Sequence, residues 1–192
     1  MKIIAGIPEA HRARAVDLYW LAFGPKLRVP LGPQQKATAF VTRVLDPTHG
    51  ICAIDDAGRL MGVVGFKTYR GALVGGGFAD LRAIYGVFGA TWRAALLSLL
   101  ERDTENVRFL MDGIFVAPEA RGRGVGTALL HAIYDEARKR GFHHIRLDVI
   151  STNPRARALY EREGFVATHT ARLGMLRHVF GFDAATTMVR KL

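Results

Sequence analysis

Apolar positions along this chain recur with two periods, and each period predicts one kind of secondary structure. Residues 122–140 repeat them every three or four positions, which is typical of a helix with one face on a core. Residues 144–150 alternate apolar and polar side chains, which is typical of a half-buried strand. An apolar run at 109–116 precedes the helix. Together these segments predict a strand, a helix and a second strand, joined as a right-handed parallel crossover.

The remaining apolar patterns predict an α/β fold with one mixed sheet of about seven strands. The sequence from Asp55 to Gly58 predicts a hairpin turn in which the glycine supplies a positive φ. The predicted strands are 2–7, 50–54, 59–69, 109–116, 144–150, 165–170 and 182–189. The first predicted helix begins at Pro8 and ends at Gly24-Pro25. The other predicted helices are 34–45, 79–100, 122–140 and 154–163.

A chain of 192 residues is long enough for one well-packed domain and short for two, so we predict a single domain over residues 1–192. The connection between the third and fourth predicted strands, residues 71–105, is longer than usual and contains the helix 79–100. Arg93 interrupts the most apolar part of that helix, which favours a buried or subunit-facing helix over a membrane span. We therefore expect no membrane association. The insertion could form a lid, a wall of the acceptor site or the interface of a homodimer through residues 80–100.

The chain carries a formal net charge of +10, because 27 Lys and Arg residues outnumber 17 Asp and Glu residues. This excess is spread along the chain and no segment resembles a DNA-recognition helix, so we expect no nucleic-acid partner. Dispersed positive charge suits a small anionic ligand better. Cys52 is the single cysteine and cannot form an internal disulfide, and the first residues do not resemble a secretory signal. The expected location is therefore the cytoplasm.

The loop before the helix 122–140 has the composition of a phosphate-binding loop. It contains two arginines and three glycines, namely Arg121, Gly122, Arg123, Gly124 and Gly126. Glycines let the backbone approach a ligand closely, and the first turn of a helix leaves N–H groups free to bind an anion. Thr127 stands where a dinucleotide fingerprint needs a third glycine, and no lysine precedes it as a P-loop requires. The arginines add mobile positive charge, so the loop could hold two phosphates without a metal.

The segment Arg121-Gly122-Arg123-Gly124-Val125-Gly126 matches Arg/Gln-x-x-Gly-x-Gly/Ala, and it resembles the acyl-CoA-binding motif of the GCN5-related N-acetyltransferases. A second block follows in that family's order, namely Leu147 to Val149, Asn153-Pro154, Ala158 to Glu161 and Gly164 to Val166. The resemblance covers residues 109–168 well and residues 1–105 in pattern only. It implies a central mixed sheet with helices on both faces, splayed between the fourth and fifth strands. It also implies an acetyl-CoA-dependent N-acetyltransferase.

The resemblance further implies how acetyl-CoA is bound. Backbone N–H groups of Ile114, Phe115 and Val116 would hold the acyl carbonyl and the pantetheine arm, unless they make ordinary sheet hydrogen bonds. Asn153 would cap a helix and also contact the pantetheine arm. The residues of the phosphate-binding loop would be Arg121, Gly122, Arg123, Gly124, Val125, Gly126 and Thr127.

Two side chains carry the chemistry that the resemblance implies. Tyr160 would act as the general acid that protonates the departing thiolate, or its ring would simply pack under the sheet. Asp148 would act as a general base through a water molecule, or it would form a salt bridge with Arg146. Cys52 lies within a predicted strand and no serine has the context of a nucleophile. We therefore predict direct attack by the acceptor in a ternary complex.

The acceptor is predicted to be a primary amine of a small molecule or a peptide, and the sequence does not identify it. Its site should be built by the first two helices, the 71–105 insertion and the last two strands. His143-His144 has no cysteine or carboxylate at a metal-binding spacing, so we expect no metal. The alternative from another class is a non-catalytic acyl-CoA-binding regulatory protein, which the presence of Tyr160 disfavours.

Overall fold

The computed structural model describes residues 1–99 and 108–192. The helices are α1 (Glu9–Leu31), α2 (Gln34–Val44), α3 (Phe78–Ser98), α4 (Val125–Lys139), α5 (Pro154–Arg162) and α6 (Arg177–Phe180). The strands are β1 (Lys2–Ala5), β2 (Gly50–Ile54), β3 (Leu60–Thr68), β4 (Gly71–Ala72), β5 (Phe109–Val116), β6 (His144–Ile150), β7 (Val166–Arg172) and β8 (Ala184–Lys191). The predicted fourth and fifth strands are therefore β5 and β6.

The strands form one mixed sheet, which confirms the predicted fold class. Its order is β1-β2-β3-β5-β6-β8-β7, and the two-residue β4 pairs with β3 beside this path. Neighbouring strands along the path are antiparallel except β5 and β6, which are parallel. The unit β5–α4–β6 is thus the parallel crossover that the apolar pattern predicts. The short β4 accounts for the difference between eight strands and the predicted seven.

Helices cover both faces of the sheet, and two glycines show which helix lies on which face. A Cβ atom on Gly62 of β3 would approach Leu129 of α4 to 3.2 Å. A Cβ atom on Gly113 of β5, which points to the opposite face, would lie 2.6 Å from the Phe23 ring of α1. In both places glycine permits a backbone approach that a side chain would prevent. Helices α1 and α4 therefore enclose the middle of the sheet.

The predicted end of the first helix at Gly24-Pro25 is wrong, because α1 continues to Leu31. Pro25 and Pro30 lie inside the helix, and neither can donate the N–H that an interior position normally provides. Apolar burial along the helix outweighs this loss. The buried residues of α1 include Val16, Leu18, Leu27 and Leu31. The added turns matter for the site because they carry Lys26 to β5.

Helix α3 confirms a helix in the predicted segment 79–100, whereas residues 100–105 of the insertion lie outside the part of the chain that the structure describes. Gly86 adopts φ +71° and ψ 176°, so α3 consists of two helical segments joined at a kink. Phe88 and Trp92 are exposed on its outer surface. Dimerisation through this helix stays a prediction. Within the described residues, no helix has the length and apolar character to span a bilayer.

Candidate active site

Strands β5 and β6 leave a gap in the middle of the sheet. Within the described chain, parallel pairing joins them at two positions only, Phe109 with Ile145 and Leu110 with Arg146. Beyond these pairs the strands separate, and their carboxyl ends lead into the loops before α4 and α5. In open α/β sheets, ligands bind where neighbouring strands part in this way. The splay between the fourth and fifth predicted strands is therefore present.

A β-bulge at Asp112 lies at the point where the gap begins. The register of β3 and β5 pairs Gly65 with Gly113 and Phe66 with Met111, so Asp112 is the extra residue. A bulge bends its strand and redirects the side chain of the extra residue. The last pair between β5 and β6 lies just before this residue. The bulge therefore helps to open the gap and presents a carboxylate beside it.

Backbone N–H groups of β5 line the gap. The N–H of Ala117 donates to the carbonyl oxygen of Met61 on β3 at 2.8 Å, and backbone groups alternate in direction along an antiparallel pair. The N–H of Phe115 therefore points to β3, whereas those of Ile114 and Val116 point to the gap. No described strand lies opposite these two groups. Of the three predicted N–H donors, two are thus placed to bind a ligand and one belongs to the β3 ladder.

The loop after β5 ends at a helix N-terminus that, in the described chain, no side chain caps. Gly122 and Gly124 adopt φ values of +74° and +75°, and no described atom lies within 4 Å of the positions that their Cβ atoms would take. Gly126 has a packing role, because its Cβ would lie 3.1 Å from Leu159 of α5. The N–H groups of residues 125–127 belong to the first turn of α4, where the helix itself provides no acceptor.

Two arginines add positive charge to this helix terminus. Arg121 and Arg123 are both exposed beside the loop. The Nε of Arg121 donates to the carbonyl oxygen of Val116 at 3.4 Å, which holds its guanidinium at the mouth of the gap. Free N–H groups, the helix dipole, two guanidinium groups and open space above two glycines are the features that an anion such as a diphosphate requires.

Helix α5 begins at the predicted cap and buries Tyr160. The Oδ1 of Asn153 accepts a hydrogen bond from the N–H of Ala156 at 3.2 Å, which satisfies one donor of the first turn. Tyr160 is 5% exposed, and its ring centroid lies 5.7 Å from that of Phe165. Burial raises the pKa of Tyr160, and the nearby Tyr134 adds to the increase. The ring does pack in the core, and the phenol stays protonated at neutral pH.

Asp148 lies on β6 with both carboxylate oxygens engaged. The Oγ1 of Thr187 on β8 donates to one oxygen at 2.5 Å, and a guanidinium nitrogen of Arg146 lies 3.7 Å from the other. The salt bridge that was the alternative to a catalytic role is therefore present. A role as general base stays a prediction for this residue.

A recess lies between α1 and the bulged part of β5. It holds about 50 Å³ of free space and is lined by Tyr19, Phe23, Lys26, Leu73, Asp112, Gly113 and Phe115. The three aromatic rings contact one another, with centroid distances of 4.7 to 5.9 Å. The Nζ of Lys26 lies 4.6 Å from the centroid of Phe23, which is a cation–π distance. The first helix and the 71–105 insertion therefore meet beside the gap.

The charged groups of the recess are surrounded by protein, although the surface of Asp112 remains exposed and that of Lys26 is half-buried. Burial by the surrounding protein raises the pKa of Asp112, and the charges of Lys26 and Lys67 offset part of that increase. Burial lowers the pKa of Lys26, against the opposing effect of Asp112 and Asp148. The pKa of Tyr19 is also raised, by burial and then by Asp112. Groups perturbed in this way are typical of catalytic sites.

The sequence prediction missed Asp112 and Lys26. A signal for Asp112 exists, because it is the one charged residue in the apolar strand 109–116 and a glycine follows it. Lys26 has no comparable signal, because it follows the proline at which the first helix was predicted to end. Among the described residues, no group of three or more His, Cys, Asp and Glu side chains could hold a metal ion.

These features define an α/β protein whose splayed sheet opens beside an anion-binding helix terminus. A model of the acetyltransferase (GNAT) family matches residues 13–165. This match covers most of the chain, and the protein belongs to that family. The family resemblance seen in the sequence motifs is thereby confirmed.

Two named acetyltransferases match parts of the chain. Streptothricin acetyltransferase from Streptomyces lavendulae is 37% identical over 87 residues, which cover 45% of this chain and 46% of that protein. Mycothiol acetyltransferase from Beutenbergia cavernae is 50% identical over 56 residues, or 28% of this chain and 19% of that protein. The chain thus matches less than half the length of these relatives. An N-acetyltransferase structure from Staphylococcus aureus Mu50 shares the fold, with a TM-score of 0.68 over 99% of this chain and 100% of that chain at 13% identity.

Proposed function

We propose that this protein is an acetyl-CoA-dependent N-acetyltransferase in which a primary amine attacks the acetyl group directly in a ternary complex. The observation that supports this most is the gap between β5 and β6, with the N–H groups of Ile114 and Val116 on its wall and the start of α4 at its mouth. Membership of the acetyltransferase family supports it independently. Acetyl-CoA would supply the acetyl group and the thiol leaving group.

The glycine loop would hold the diphosphate of acetyl-CoA. The first N–H groups of α4 would donate to the phosphate oxygens, and Arg121 and Arg123 would neutralise part of their charge. Gly122 and Gly124 would let the phosphates approach the backbone because nothing described occupies the space above them. Asn153 would contact the pantetheine arm from the start of α5, which lies at the same edge of the sheet as the glycine loop.

Asp112 would remove the proton from the acceptor ammonium. It lies at the bulge beside the gap. Its raised pKa makes the ionised carboxylate a stronger base, which can accept a proton nearer neutral pH. Thr187 and Arg146 engage the oxygens of Asp148, so this carboxylate is less free to accept a proton. It would contribute negative charge that attracts the ammonium. Asp148 remains the alternative base, acting through a water molecule.

The remaining groups would act on the acetyl carbonyl and on the thiol. The N–H groups of Ile114 and Val116 would stabilise the negative charge that develops on the carbonyl oxygen as the amine attacks. Tyr160 would then give its phenolic proton to the departing thiolate. In water the phenol has a pKa of about 10 and the thiol about 8.5, so the transfer is uphill there. Burial raises the pKa of Tyr160, which makes the phenol a weaker acid. The transfer therefore requires that the thiolate is desolvated in the gap as well, because this raises the pKa of the thiol.

The acceptor amine would enter through the recess, which side chains of α1, β5 and Leu73 line beside the gap. The rings of Tyr19, Phe23 and Phe115 favour a cationic group such as an ammonium. We propose a small-molecule or peptide amine as the acceptor, and the cytoplasm as the location, where the free Cys52 stays reduced. A homodimer through α3 would cover its exposed apolar residues.

Calorimetric titration with coenzyme A, followed by thiol-release assays on a panel of amines, tests this proposal. We expect saturable binding of coenzyme A and amine-dependent thiol release from acetyl-CoA. Tyr160→Phe should retain binding and lose most of the turnover. Binding without turnover on any amine would favour a non-catalytic acyl-CoA-binding protein. Absence of binding would contradict the proposal itself.

A further inference from the structure

Lys26 is an amine that the fold itself places beside the gap. Its side chain lines the recess together with Gly113 and Phe115, the residues on either side of Ile114. Its Nζ lies over the ring of Phe23 at 4.6 Å from the centroid. Within residues 1–99 and 108–192, no hydrogen bond or ion pair holds this ammonium. A long side chain that no hydrogen bond fixes in place can swing towards the N–H groups of β5.

We infer that Lys26 is itself an acetyl acceptor, so that acetyl-CoA in the gap modifies the Nζ atom of the same chain. This inference rests on the proposed function, because it requires the donor to bind between β5 and β6. Intramolecular attack needs no second substrate, and a group held close to its target reacts at a high effective concentration.

The groups of the site complete the chemistry of this step. The carboxylate of Asp112, on the other side of the recess, takes a proton from the ammonium of Lys26. The neutral Nζ forms a C–N bond with the acetyl carbonyl carbon, and the C–S bond breaks. The departing thiolate takes the phenolic proton of Tyr160. The nitrogen loses its second proton, which passes through water to the Tyr160 phenolate, and Asp112 releases the first proton to solvent. The products are an Nζ-acetyl lysine, the free thiol of coenzyme A and one proton, and no oxidant, reductant or metal takes part.

The surroundings of Lys26 make it more reactive than an ordinary lysine. Burial lowers its pKa, which raises the fraction of neutral amine at a given pH. The chain contains six lysines, so selectivity can be measured within one molecule; they are Lys2, Lys26, Lys36, Lys67, Lys139 and Lys191. Lys36 is the matched comparison, because its Nζ also lies over an aromatic ring, that of Tyr85 at 5.8 Å, but outside the recess.

Acetylation would change the recess in two ways. It would remove the positive charge of Lys26, and it would add an acetyl group to a space of about 50 Å³. The acetyl group hinders an acceptor that must bring its own ammonium to Asp112, because it fills the space that the acceptor has to enter. The modified protein should therefore transfer acetyl groups to added amines more slowly than the unmodified protein.

The test is to incubate the full chain with acetyl-CoA and no amine, and to follow each lysine by peptide mass spectrometry. We expect one acetyl group on Lys26, formed at least about tenfold faster than on any other lysine, consistent with intramolecular attack. Lys26→Arg should abolish the fast modification and Lys36→Arg should retain it. Asp112→Asn should slow it at least about tenfold, since the base is lost. A heat-denatured sample gives the uncatalysed background.

Equal rates at all six lysines, or a fast addition that persists in Lys26→Arg, would overturn the inference. Thermal unfolding of Lys26→Arg checks that this variant folds. Titration with coenzyme A on the same preparation separates the two proposals. If coenzyme A binds and added amines are acetylated while Lys26 stays unmodified, the inference fails and the proposed function stands. If coenzyme A does not bind, both fail.

Discussion

The two sides of the gap are built from different kinds of atoms. On the donor side, the groups placed to bind a ligand are backbone N–H groups of β5 and of the start of α4, with glycines at 122 and 124 to clear the space. On the acceptor side, the recess is built by side chains of α1, of β5 and of Leu73, which lie far apart in sequence. A backbone site needs a fixed spacing of glycines, whereas a side-chain site depends on how distant elements pack. The following predictions test whether the backbone side binds the donor and the side-chain side binds the acceptor.

The largest effect should come from Tyr160→Phe, which removes the proposed general acid without removing the ring. We expect kcat to fall by about 10² to 10⁴, the usual contribution of a positioned proton donor, while the affinity for coenzyme A stays the same. Steady-state kinetics and calorimetry measure the two quantities. Tyr134→Phe is the matched control, because that hydroxyl is also buried and its ring lies against Arg190 at 4.1 Å. An equal loss in both variants would show that packing, and not proton donation, is responsible.

Asp112→Asn should come next, with a fall in kcat/KM of about 10² from loss of the base. The wild-type rate requires ionised Asp112, so it should decrease as the pH falls through the raised pKa of this carboxyl. The pH–rate profile of the variant should lack that acidic limb. Asp148→Asn should have the smaller effect. A larger loss in Asp148→Asn, with the acidic limb intact in Asp112→Asn, would return the base role to Asp148.

Gly124→Ala tests the donor side and should weaken coenzyme A binding about tenfold. The positive φ of +75° costs an alanine about 1–2 kcal/mol, so the free loop would relax and binding would have to restore it. The added Cβ would also enter space that the phosphates need. Gly141→Ala is the control, because Gly141 has φ +79° and equally open surroundings at the far end of α4. Equal weakening by both variants, measured calorimetrically, would contradict the assigned phosphate site.

The smallest effect concerns stability on the acceptor side. A carboxyl whose pKa is higher in the folded protein than in the unfolded chain, about 4, binds protons more tightly when folded. Its contribution to stability therefore decreases as the pH rises from the unfolded to the folded pKa. Because Asp112 is exposed and solvent screens its charge, Asp112→Asn should raise the Tm only slightly at about pH 8 and by less at about pH 5. Thermal scans at the two pH values check this, and a lower Tm of the variant at the higher pH would contradict it.

Local signals predicted much of the sheet from the sequence. The strands β2, β5 and β6 have the predicted bounds, and the hairpin before β3 forms as the turn residues indicate. Asp55 accepts hydrogen bonds from the N–H groups of Ala57 and Arg59, and Gly58 adopts φ +78°. The cap at Asn153 and the glycine loop were likewise predicted from neighbouring residues in the sequence. Each depends on residues close together in the chain, so a short stretch of sequence is enough to predict it.

The acceptor side could not be predicted in the same way. The first helix passes through Pro25 because its apolar face packs on the sheet, and that gain is invisible in the local sequence. The bulge at Asp112 depends on the register between β3 and β5, which residue types alone do not set. The continued helix brings Lys26 to the recess, and the bulge lies at Asp112 beside it. Tertiary packing therefore decides the site that should select the acceptor.

A structure of the protein with coenzyme A tests the central claim most directly. We predict that the diphosphate accepts hydrogen bonds from the N–H groups at the start of α4, and that the pantetheine arm lies between β5 and β6. The sulfur should then lie near the hydroxyl of Tyr160, with Asp112 on the other side of the gap. A coenzyme A molecule with its phosphates bound elsewhere, or a gap between β5 and β6 that stays empty, would contradict the account.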